Sequence, residues 1–191
     1  MDGVRLTLVR GDITKADVEA IVNAANTTMR GGGGVDGAIH AAAGPELLEQ
    51  LRTSAPNGAP EGQVVVSPGF RLPARYVFHV AGPIWRDGHQ GEADLLAACY
   101  RNAIREAERL EVASIAFPTI STGVYGYPKD RAAPVALGEG LRAAKHGTTL
   151  EEIRYVVFDE QDLAIYSHLF ERFDELHPAA VEFAAGLETS L

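Results

Sequence analysis

Cysteine is almost absent from this chain. Its 191 residues include a single cysteine, Cys99, so no internal disulfide can form and no cysteine cluster can hold a metal ion. No apolar run approaches the roughly 20 residues that a membrane-spanning helix requires. The first residues also lack the basic and then apolar stretches of a signal peptide. We therefore expect a cytoplasmic protein with no membrane partner.

Basic residues are also few. Lysine and arginine total 17, against 26 aspartates and glutamates, which gives a formal net charge of −9. This charge opposes general attraction to nucleic acids and to anionic membranes. A phosphate-bearing ligand would have to be held mainly by backbone N–H groups. The six histidines show no spacing typical of a metal site, so we expect neither a metal nor another cofactor.

Patterns typical of strands alternate with patterns typical of helices along the chain. The length and the 46% share of apolar residues fit one domain with a sizeable core. The alternation predicts an α/β fold, a three-layer α/β/α sandwich with a mixed, mostly parallel central sheet. We place the domain at residues 1–177 and assign residues 178–191 to a C-terminal tail that is frayed or partly helical. The predicted strands are 4–9, 20–22, 64–66, 76–80, 113–117 and 153–158, and the predicted helices are 35–43, 45–51, 92–110, 129–145 and 163–176.

Four consecutive glycines at 31–34 run into a predicted helix whose first turn contains Asp36. A glycine-rich backbone at a helix N-terminus can bind a phosphate. Gly32, Gly34 and Gly37 also match the pattern G-x-G-x-x-G, but no strand directly precedes them and no acid ends the next strand, so a dinucleotide site is disfavoured. No Lys-Ser or Lys-Thr pair follows, which excludes a Walker loop. A flexible linker is the other alternative, and a position inside a packed domain disfavours it.

Asp36 and two asparagines are the candidate reactive groups. An acid in the first turn of a helix is stabilised by the helix dipole, and it can also orient or deprotonate a water molecule. Because an ordinary aspartate is a weak base at neutral pH, we favour the orientation of water. Asn23 and Asn26 follow the second strand and can hold sugar hydroxyls or cap a turn. We favour a structural role for Asn23 and a ligand-facing role for Asn26, and we keep both in the candidate site.

A second glycine-containing loop, 120–128, lies between a predicted strand and a predicted helix. Its N–H groups, the hydroxyls of Ser121 and Thr122, and Gly123 could surround a pyrophosphate. The alternative is an ordinary strand-to-helix turn. Two glycine-containing loops at the same edge of one small sheet favour a phosphate site.

The loops after the first and last strands of the predicted domain carry further candidates. Asp12 could accept a hydrogen bond from an exocyclic amine such as that of adenine, or it could cap the turn that follows. Phe158 could stack on a base or pack into the core. We expect His40, on the Asp36 helix, to be a packing residue, and Cys99 to be buried and inert.

Together these segments resemble the macrodomain family, and within it the MacroD-type ADP-ribose hydrolases. The matching motifs are Gly-Asp-Ile-Thr at 11–14, Val-Asn-Ala-Ala-Asn at 22–26, the glycine run with Val-Asp-Gly-Ala-Ile-His at 31–40, and Ile-Ser-Thr-Gly-Val-Tyr at 120–125. Their order and spacing match as well. The resemblance extends from about residue 4 to about residue 173.

The resemblance implies a role for each motif. Asn26 and Asp36 are the implied catalytic residues, at the distal ribose. The implied substrate-binding residues are Asp12 and Ile13 at the adenine, Phe158 stacked against it, Gly33, Gly34, Val35, Ser121, Thr122, Gly123, Val124 and Tyr125 at the diphosphate, and Asn23.

The resemblance also implies an activity that needs no metal. Such enzymes cleave the ester that links ADP-ribose to Asp or Glu side chains of mono-ADP-ribosylated proteins, and they deacetylate O-acetyl-ADP-ribose. The implied partners are these substrates and ADP-ribose itself, and we expect a monomer because no stretch forms an obvious dimer seam. The alternatives are a module that binds ADP-ribose without cleaving it and a phosphatase. The presence of Asp36 disfavours the first, and the lack of a dedicated nucleophile disfavours the second.

Overall fold

The computed structural model describes residues 3–176 and 182–185. In this part of the chain the strands are β1 (Arg5–Arg10), β2 (Ala20–Ala25), β3 (Val64–Pro68), β4 (Tyr76–Ala81), β5 (Ser114–Phe117), β6 (Glu152–Val157) and β7 (Glu182–Ala185). The helices are α1 (Gly34–Ala43), α2 (Glu46–Ser54), α3 (Glu92–Arg109), α4 (Lys129–His146) and α5 (Glu160–Leu176). None of the described helices combines the length and apolar character that a membrane crossing demands.

The strands form one mixed sheet in the order β3-β4-β2-β5-β6-β1-β7. Only β3 and β4 pair antiparallel, and every other neighbouring pair of described strands is parallel. Helices α3, α4 and α5 bury Tyr100, Leu137 and Phe170 against one face. Helices α1 and α2 bury Ile39 and Leu47 against the other face. The predicted three-layer α/β/α sandwich with a mixed, mostly parallel sheet is therefore confirmed.

Side-chain caps explain where some elements begin. Helix α5 begins at Glu160, three residues earlier than the apolar pattern predicts. The side chain of Asp159 accepts a hydrogen bond from the N–H of Asp162 at 2.8 Å, so it satisfies one of the free donors of the first turn. The cap lengthens the helix towards the end of β6, which brings Asp159 and Asp162 close to that strand.

The C-terminal tail differs from the prediction. Residues Glu182–Ala185 form β7, and this strand pairs in parallel with β1, with Arg5 opposite Glu182. Strand β1 would otherwise leave a row of backbone groups unpaired at the sheet edge. The prediction of a frayed or partly helical tail is therefore wrong for residues 182–185. The rest of the tail lies outside the described residues, and the domain boundary at residue 177 stays a prediction.

The parallel arrangement gathers several loops at one edge of the sheet. Strands β1, β2, β5 and β6 run in the same direction, so the loops that follow them leave from the same edge. In open α/β sheets this edge is the usual place for a ligand. The loop after β4 leaves from this edge as well, because β4 is parallel to β2.

A buried carboxylate organises the loop after β4. The Glu92 side chain, at the start of α3, is almost completely buried, and it accepts hydrogen bonds from the backbone N–H groups of Arg86, Asp87, Gly88 and Gln90. Burial alone would raise the pKa of this carboxyl, but the backbone donors outweigh burial and lower its pKa to about 2. Glu92 therefore closes the loop as an ionised group.

The loop closed by Glu92 supports the loop that follows β5. The N–H of Trp85 donates to the carbonyl oxygen of Tyr125 at 2.9 Å. The Trp85 ring packs against Tyr127 with 4.7 Å between ring centroids, and the Arg131 guanidinium lies over the Trp85 ring at 5.6 Å. The position of the loop after β5 thus depends on the position of Trp85.

We predict that Glu92→Gln removes part of the acid sensitivity of folding. The folded-state pKa of Glu92 is depressed to about 2 from its ordinary value of 4.5. Above pH 4.5 the Glu92 carboxylate therefore makes its full contribution to stability, and this contribution is lost as the pH falls towards about 2. In urea denaturation, Glu92→Gln should be less stable than the natural protein near neutral pH, and the difference should shrink with acidification.

Glu171→Gln is the matched control, because Glu171 is an exposed helical glutamate on α5. Its free energy of unfolding should follow that of the natural protein at every pH. An equal stability difference for Glu92→Gln at neutral and at acidic pH would contradict the prediction.

Candidate functional site

A cleft of about 750 Å³ lies at the carboxyl ends of the parallel strands. This volume falls within the range of small-molecule sites. Of the residues predicted from the sequence, all except Asn23 line it: Asp12, Ile13, Asn26, Gly33, Gly34, Val35, Asp36, Ser121, Thr122, Gly123, Val124, Tyr125 and Phe158. The structure thus brings these separate motifs together in one place.

The glycine run forms one wall of the cleft. A side chain at Gly33 or Gly34 would project into open space, so these residues present bare backbone. The first bond within α1 runs from the Gly37 N–H to the Gly33 carbonyl oxygen at 3.3 Å. The N–H groups of Gly34, Val35 and Asp36 therefore have no partner inside the helix. Such a helix N-terminus attracts anions.

The opposite wall is the loop after β5. Its first part is held by the N–H of Tyr127, which donates to the Ser121 carbonyl oxygen at 2.9 Å. Ser121 adopts a positive φ of 66°, and its buried Oγ has no hydrogen-bond partner among the described residues. A Cβ on Gly82 would collide with that oxygen, so glycine at 82 leaves the hydroxyl room. Two walls with free donors thus face one another.

Asp36 is buried in the first turn of α1. Its Oδ1 accepts a hydrogen bond from Asn23 Nδ2 at 2.8 Å, and His40 Nε2, one turn further along the helix, lies 3.4 Å away. The second oxygen, Oδ2, accepts no hydrogen bond from the described residues. A Cβ built on Gly32 would lie 3.3 Å from Oδ2, which places this oxygen beside the glycine wall. One oxygen is anchored and the other is available to a ligand or a water molecule.

Asn26 reaches the same point from the end of β2. Its Nδ2 donates to the Gly31 carbonyl oxygen at 3.0 Å, and the Thr28 hydroxyl donates to its Oδ1 at 2.6 Å. The Cβ built on Gly32 would lie 3.5 Å from Asn26 Nδ2. Asn26 and Asp36 therefore converge on Gly32, and Asn26 also holds the glycine run in place.

Asn23 is the predicted binding residue that does not reach the cleft. It is fully buried in β2. Side chains alternate along a strand, so Asn23 shares the face of Ile21, which packs with α1 residues such as Ile39. Its inclusion among the substrate-binding residues stays a prediction, although its side chain does not line the cleft. The structural role that we favoured for Asn23 fits its hydrogen bond to Asp36.

The far end of the cleft carries Asp12 and Phe158. Asp12 Oδ1 accepts hydrogen bonds from the N–H of Thr14 at 2.9 Å and from its hydroxyl at 2.7 Å. This oxygen caps the short 3-10 turn Ile13–Lys15, and Oδ2 is left for other donors. Phe158 is 78% exposed, so the alternative that it packs into the core is wrong. An exposed aromatic ring at the rim can stack on a planar ligand.

A charged cluster in the cleft was not predicted from the sequence. Lys129 Nζ lies 2.6 Å from Asp159 Oδ2 and 3.2 Å from Asp162 Oδ2, and all three residues line the cleft. The hydrogen bond from Lys129 lowers the pKa of Asp159, whereas burial raises the pKa of Asp162. Among the described residues Lys129 is the only cation in the lining, and these acids already engage it. The sequence signal that could have indicated this cluster is the position of the two acids just after β6, at the same edge of the sheet as the other candidate residues.

Two further side chains that the sequence singled out, His40 and Cys99, lie outside the cleft lining, and His40 Nε2 is buried without a hydrogen-bond partner among the described residues. His40 is largely buried on α1, where its ring lies 6.3 Å from that of His79. Cys99 is buried, and burial raises the pKa of its thiol to about 12, so the thiolate is scarce at neutral pH. No group of His, Cys, Asp and Glu among the described residues is arranged to hold a metal ion.

Comparisons with known proteins identify the family. The model of the family described as "Macro domain" matches residues 22–136. A macro domain-containing protein of Ralstonia nicotianae is 55% identical over 163 residues, which cover 85% of this chain and 92% of that protein. One from Listeria monocytogenes is 49% identical over 170 residues, which cover 87% and 97% of the two chains.

Solved structures give the same result. The Oceanobacillus iheyensis macrodomain with ADP has a TM-score of 0.83 and 43% identity, and the match covers 88% of this chain and 91% of that one. The Trypanosoma brucei macrodomain in complex with ADP-ribose has a TM-score of 0.80 and 42% identity, with coverage of 86% and 68%. The family model covers more than half of this chain, including both walls of the cleft, and each of these relatives and structures covers at least 85% of it. This chain therefore belongs to the macrodomain family.

Proposed function

We propose that this macrodomain binds ADP-ribose and hydrolyses esters on its distal ribose. The substrates are mono-ADP-ribosylated proteins modified on Asp or Glu, and O-acetyl-ADP-ribose, as in MacroD-type hydrolases. The observation that carries the proposal is the Asp36 carboxylate, which is anchored through Oδ1 and open through Oδ2 at the glycine wall. The relatives that are in complex with ADP and ADP-ribose support the choice of ligand.

The two walls suit a diphosphate. The free N–H groups in the first turn of α1 face the cleft from one side, and the loop 121–125 faces it from the other. The unpartnered Ser121 hydroxyl is a further donor for a phosphate oxygen. Because Lys129 is engaged by Asp159 and Asp162, these neutral donors carry the recognition of the anion. This arrangement agrees with an acidic protein that binds an anionic ligand.

The two ends of the cleft suit the two ends of ADP-ribose. Asp12 Oδ2 is left to accept a hydrogen bond from the exocyclic amine of adenine, beside the backbone of Ile13, and Phe158 stacks on the ring. The distal ribose then lies at Asn26 and Asp36. Both proposed substrates have their ester on this ribose, so a single reactive centre serves both.

The chemistry that we propose is the addition of water across the ester. Asp36 Oδ2 accepts a hydrogen bond from the water molecule and holds it next to the ester. The water oxygen bonds to the acyl carbon as the bond from that carbon to the ribose oxygen breaks. One hydrogen of the water goes to the ribose hydroxyl, the other leaves to solvent as a proton, and the second product is a carboxylate, which is the Asp or Glu side chain or acetate. None of the proposed steps requires a metal ion or a covalent intermediate.

Replacement of Asp36 tests the proposal. Asp36→Asn has nearly the same shape and keeps an acceptor for Asn23, but it removes the negative charge that orients the water. We expect hydrolysis of an Asp/Glu-linked mono-ADP-ribosylated protein and of O-acetyl-ADP-ribose to fall about 100-fold or more. The affinity for ADP-ribose should stay within about threefold of the natural protein, since this affinity depends mainly on the backbone donors.

Asp130→Asn is the matched control. Asp130 is an exposed acid in the first turn of α4 and is not part of the cleft lining, so its replacement removes an equivalent charge at a different helix start. Its turnover should be unchanged. Tight ADP-ribose binding by the natural protein, with no turnover of either ester, would instead identify a binding module.

Phe158→Ala tests the adenine end. Stacking of a base on an aromatic side chain contributes about 1–3 kcal/mol, so calorimetry should show an affinity for ADP-ribose roughly 5- to 150-fold weaker. The free energy of unfolding should barely change, because Phe158 is largely exposed. Ile84→Ala is the control, since Ile84 is an exposed apolar residue outside the cleft lining. Equal affinities for Phe158→Ala and the natural protein would contradict the adenine assignment.

A further inference from the structure

A buried histidine lies behind the Asn23–Asp36 hydrogen bond. His79, on β4, is fully buried, and its Nδ1 lies 3.0 Å from Asn23 Nδ2. Its Nε2 lies 2.8 Å from the Oγ of Ser67, a buried residue on β3. The Ser67 hydroxyl in turn donates to the Pro68 carbonyl oxygen at 3.1 Å. Neither His79 nor Ser67 lines the cleft, so the proposed chemistry gives them no direct role.

The hydrogen atoms of this chain can be assigned from its partners. Asn23 Nδ2 has two hydrogens, and it donates one to Asp36 Oδ1 and the other to His79 Nδ1. His79 Nδ1 must then be unprotonated, so the ring hydrogen is on Nε2 and is donated to Ser67 Oγ. The reverse orientation of the Asn23 amide is excluded, because its oxygen would face a carboxylate oxygen.

The charge state of His79 agrees with this assignment. Burial, and to a smaller extent the neighbouring His40, lower the pKa of the imidazole to about 3, whereas Asp36 opposes the shift. The ring is therefore neutral at neutral pH. A charged ring would carry a hydrogen on Nδ1, directed at the Asn23 amino group. Two hydrogen-bond donors would then face each other, and no hydrogen bond could form between them.

We propose that His79 is a positioning residue: its neutral Nε2–H form, supported by Ser67, fixes the Asn23 amide and thereby the Asp36 carboxylate. This inference rests on the proposed function of Asp36. Because His79 Nδ1 accepts one hydrogen of the Asn23 amino group, the other hydrogen is directed at Asp36 Oδ1. With Oδ1 held in this way, Oδ2 keeps its place at the glycine wall. Without the acceptor, only Asp36 still holds the Asn23 amide, so the amide can tilt out of its place and the carboxylate can rotate with it about its terminal torsion.

Variants of His79 test the effect on turnover. His79→Leu removes the acceptor, and we expect kcat for ester hydrolysis to fall about 10- to 100-fold, because a small misplacement of a reacting group is costly. KM and the affinity for ADP-ribose should stay within about threefold. His79→Asn places an oxygen near the position of Nδ1, and it should restore kcat to within about fivefold of the natural protein.

Val77→Ala is the control for a purely structural effect. Val77 is a buried core residue two positions away on the same strand, so its truncation lowers the free energy of unfolding but leaves the hydrogen-bond chain intact. Its kcat should be unchanged. Equal losses of kcat in His79→Leu, His79→Asn and Val77→Ala would overturn the proposal.

Nitrogen-15 NMR of the imidazole tests the assignment without any activity. We expect His79 to carry its hydrogen on Nε2, with Nδ1 unprotonated, from about pH 6 to about pH 8. The Asn23 side-chain hydrogens should exchange slowly with solvent in the natural protein and in His79→Asn, and faster in Ser67→Ala, which frees the ring to change tautomer. A hydrogen on Nδ1, or a charged ring, would overturn the proposal even if His79→Leu fails to fold.

The two measurements also separate this proposal from the function proposed above. If the natural protein hydrolyses neither ester while His79 has the expected tautomer, the hydrolase assignment fails and the hydrogen-bond assignment stands. If turnover is normal and unaffected in a folded His79→Leu variant, the hydrolase assignment stands and the positioning role of His79 fails.

Discussion

The hydrogen bond from Asn23 to Asp36 joins the centre of the sheet to the first turn of α1. It is buried, 2.8 Å long and charge-assisted, and such a bond contributes roughly 1.5–3 kcal/mol. A buried carboxylate without partners would be costly. Here the hydrogen bond from the Asn23 amide and the helix N-terminus offset that cost. This bond fixes the first turn of α1 against β2, and the glycine run leads directly into that turn. The position of the glycine wall therefore depends on it.

The walls of the cleft also depend on two glycines, Gly37 and Gly82, where a side chain would not fit. A Cβ on Gly37 would lie 2.6 Å from the Gly32 carbonyl oxygen, so any side chain there would push the helix away from the glycine run. A Cβ on Gly82 would displace the Ser121 hydroxyl in the opposite wall. Close approach of backbone to backbone and of backbone to hydroxyl therefore brings the donors near enough to act on one ligand.

Local patterns predicted much of this arrangement, and contacts distant in sequence account for what they missed. The start of α1, Asp36 in its first turn and the loop after β5 were predictable, because each follows from neighbouring residues. The exposure of Phe158 was not, since an aromatic residue at a strand end suits both core and rim. The partnership of Asn23 with His79 depends on the register of β2 and β4, in which these two residues are paired, 56 positions apart in sequence. No local pattern reports such a register.

The charges of the cleft explain how an acidic chain can accommodate an anion. Lys129 is the only described cation in the lining, and Asp159 and Asp162 already neutralise it, so its long-range attraction is weak. In the proposed complex, the N–H groups at the start of α1 and the Ser121 hydroxyl act on the anion at contact distance, so recognition does not require the net charge, which is −9, to be positive. The start of α1 thus supplies free backbone donors together with the carboxylate beside them, which is the combination that the proposed hydrolysis requires.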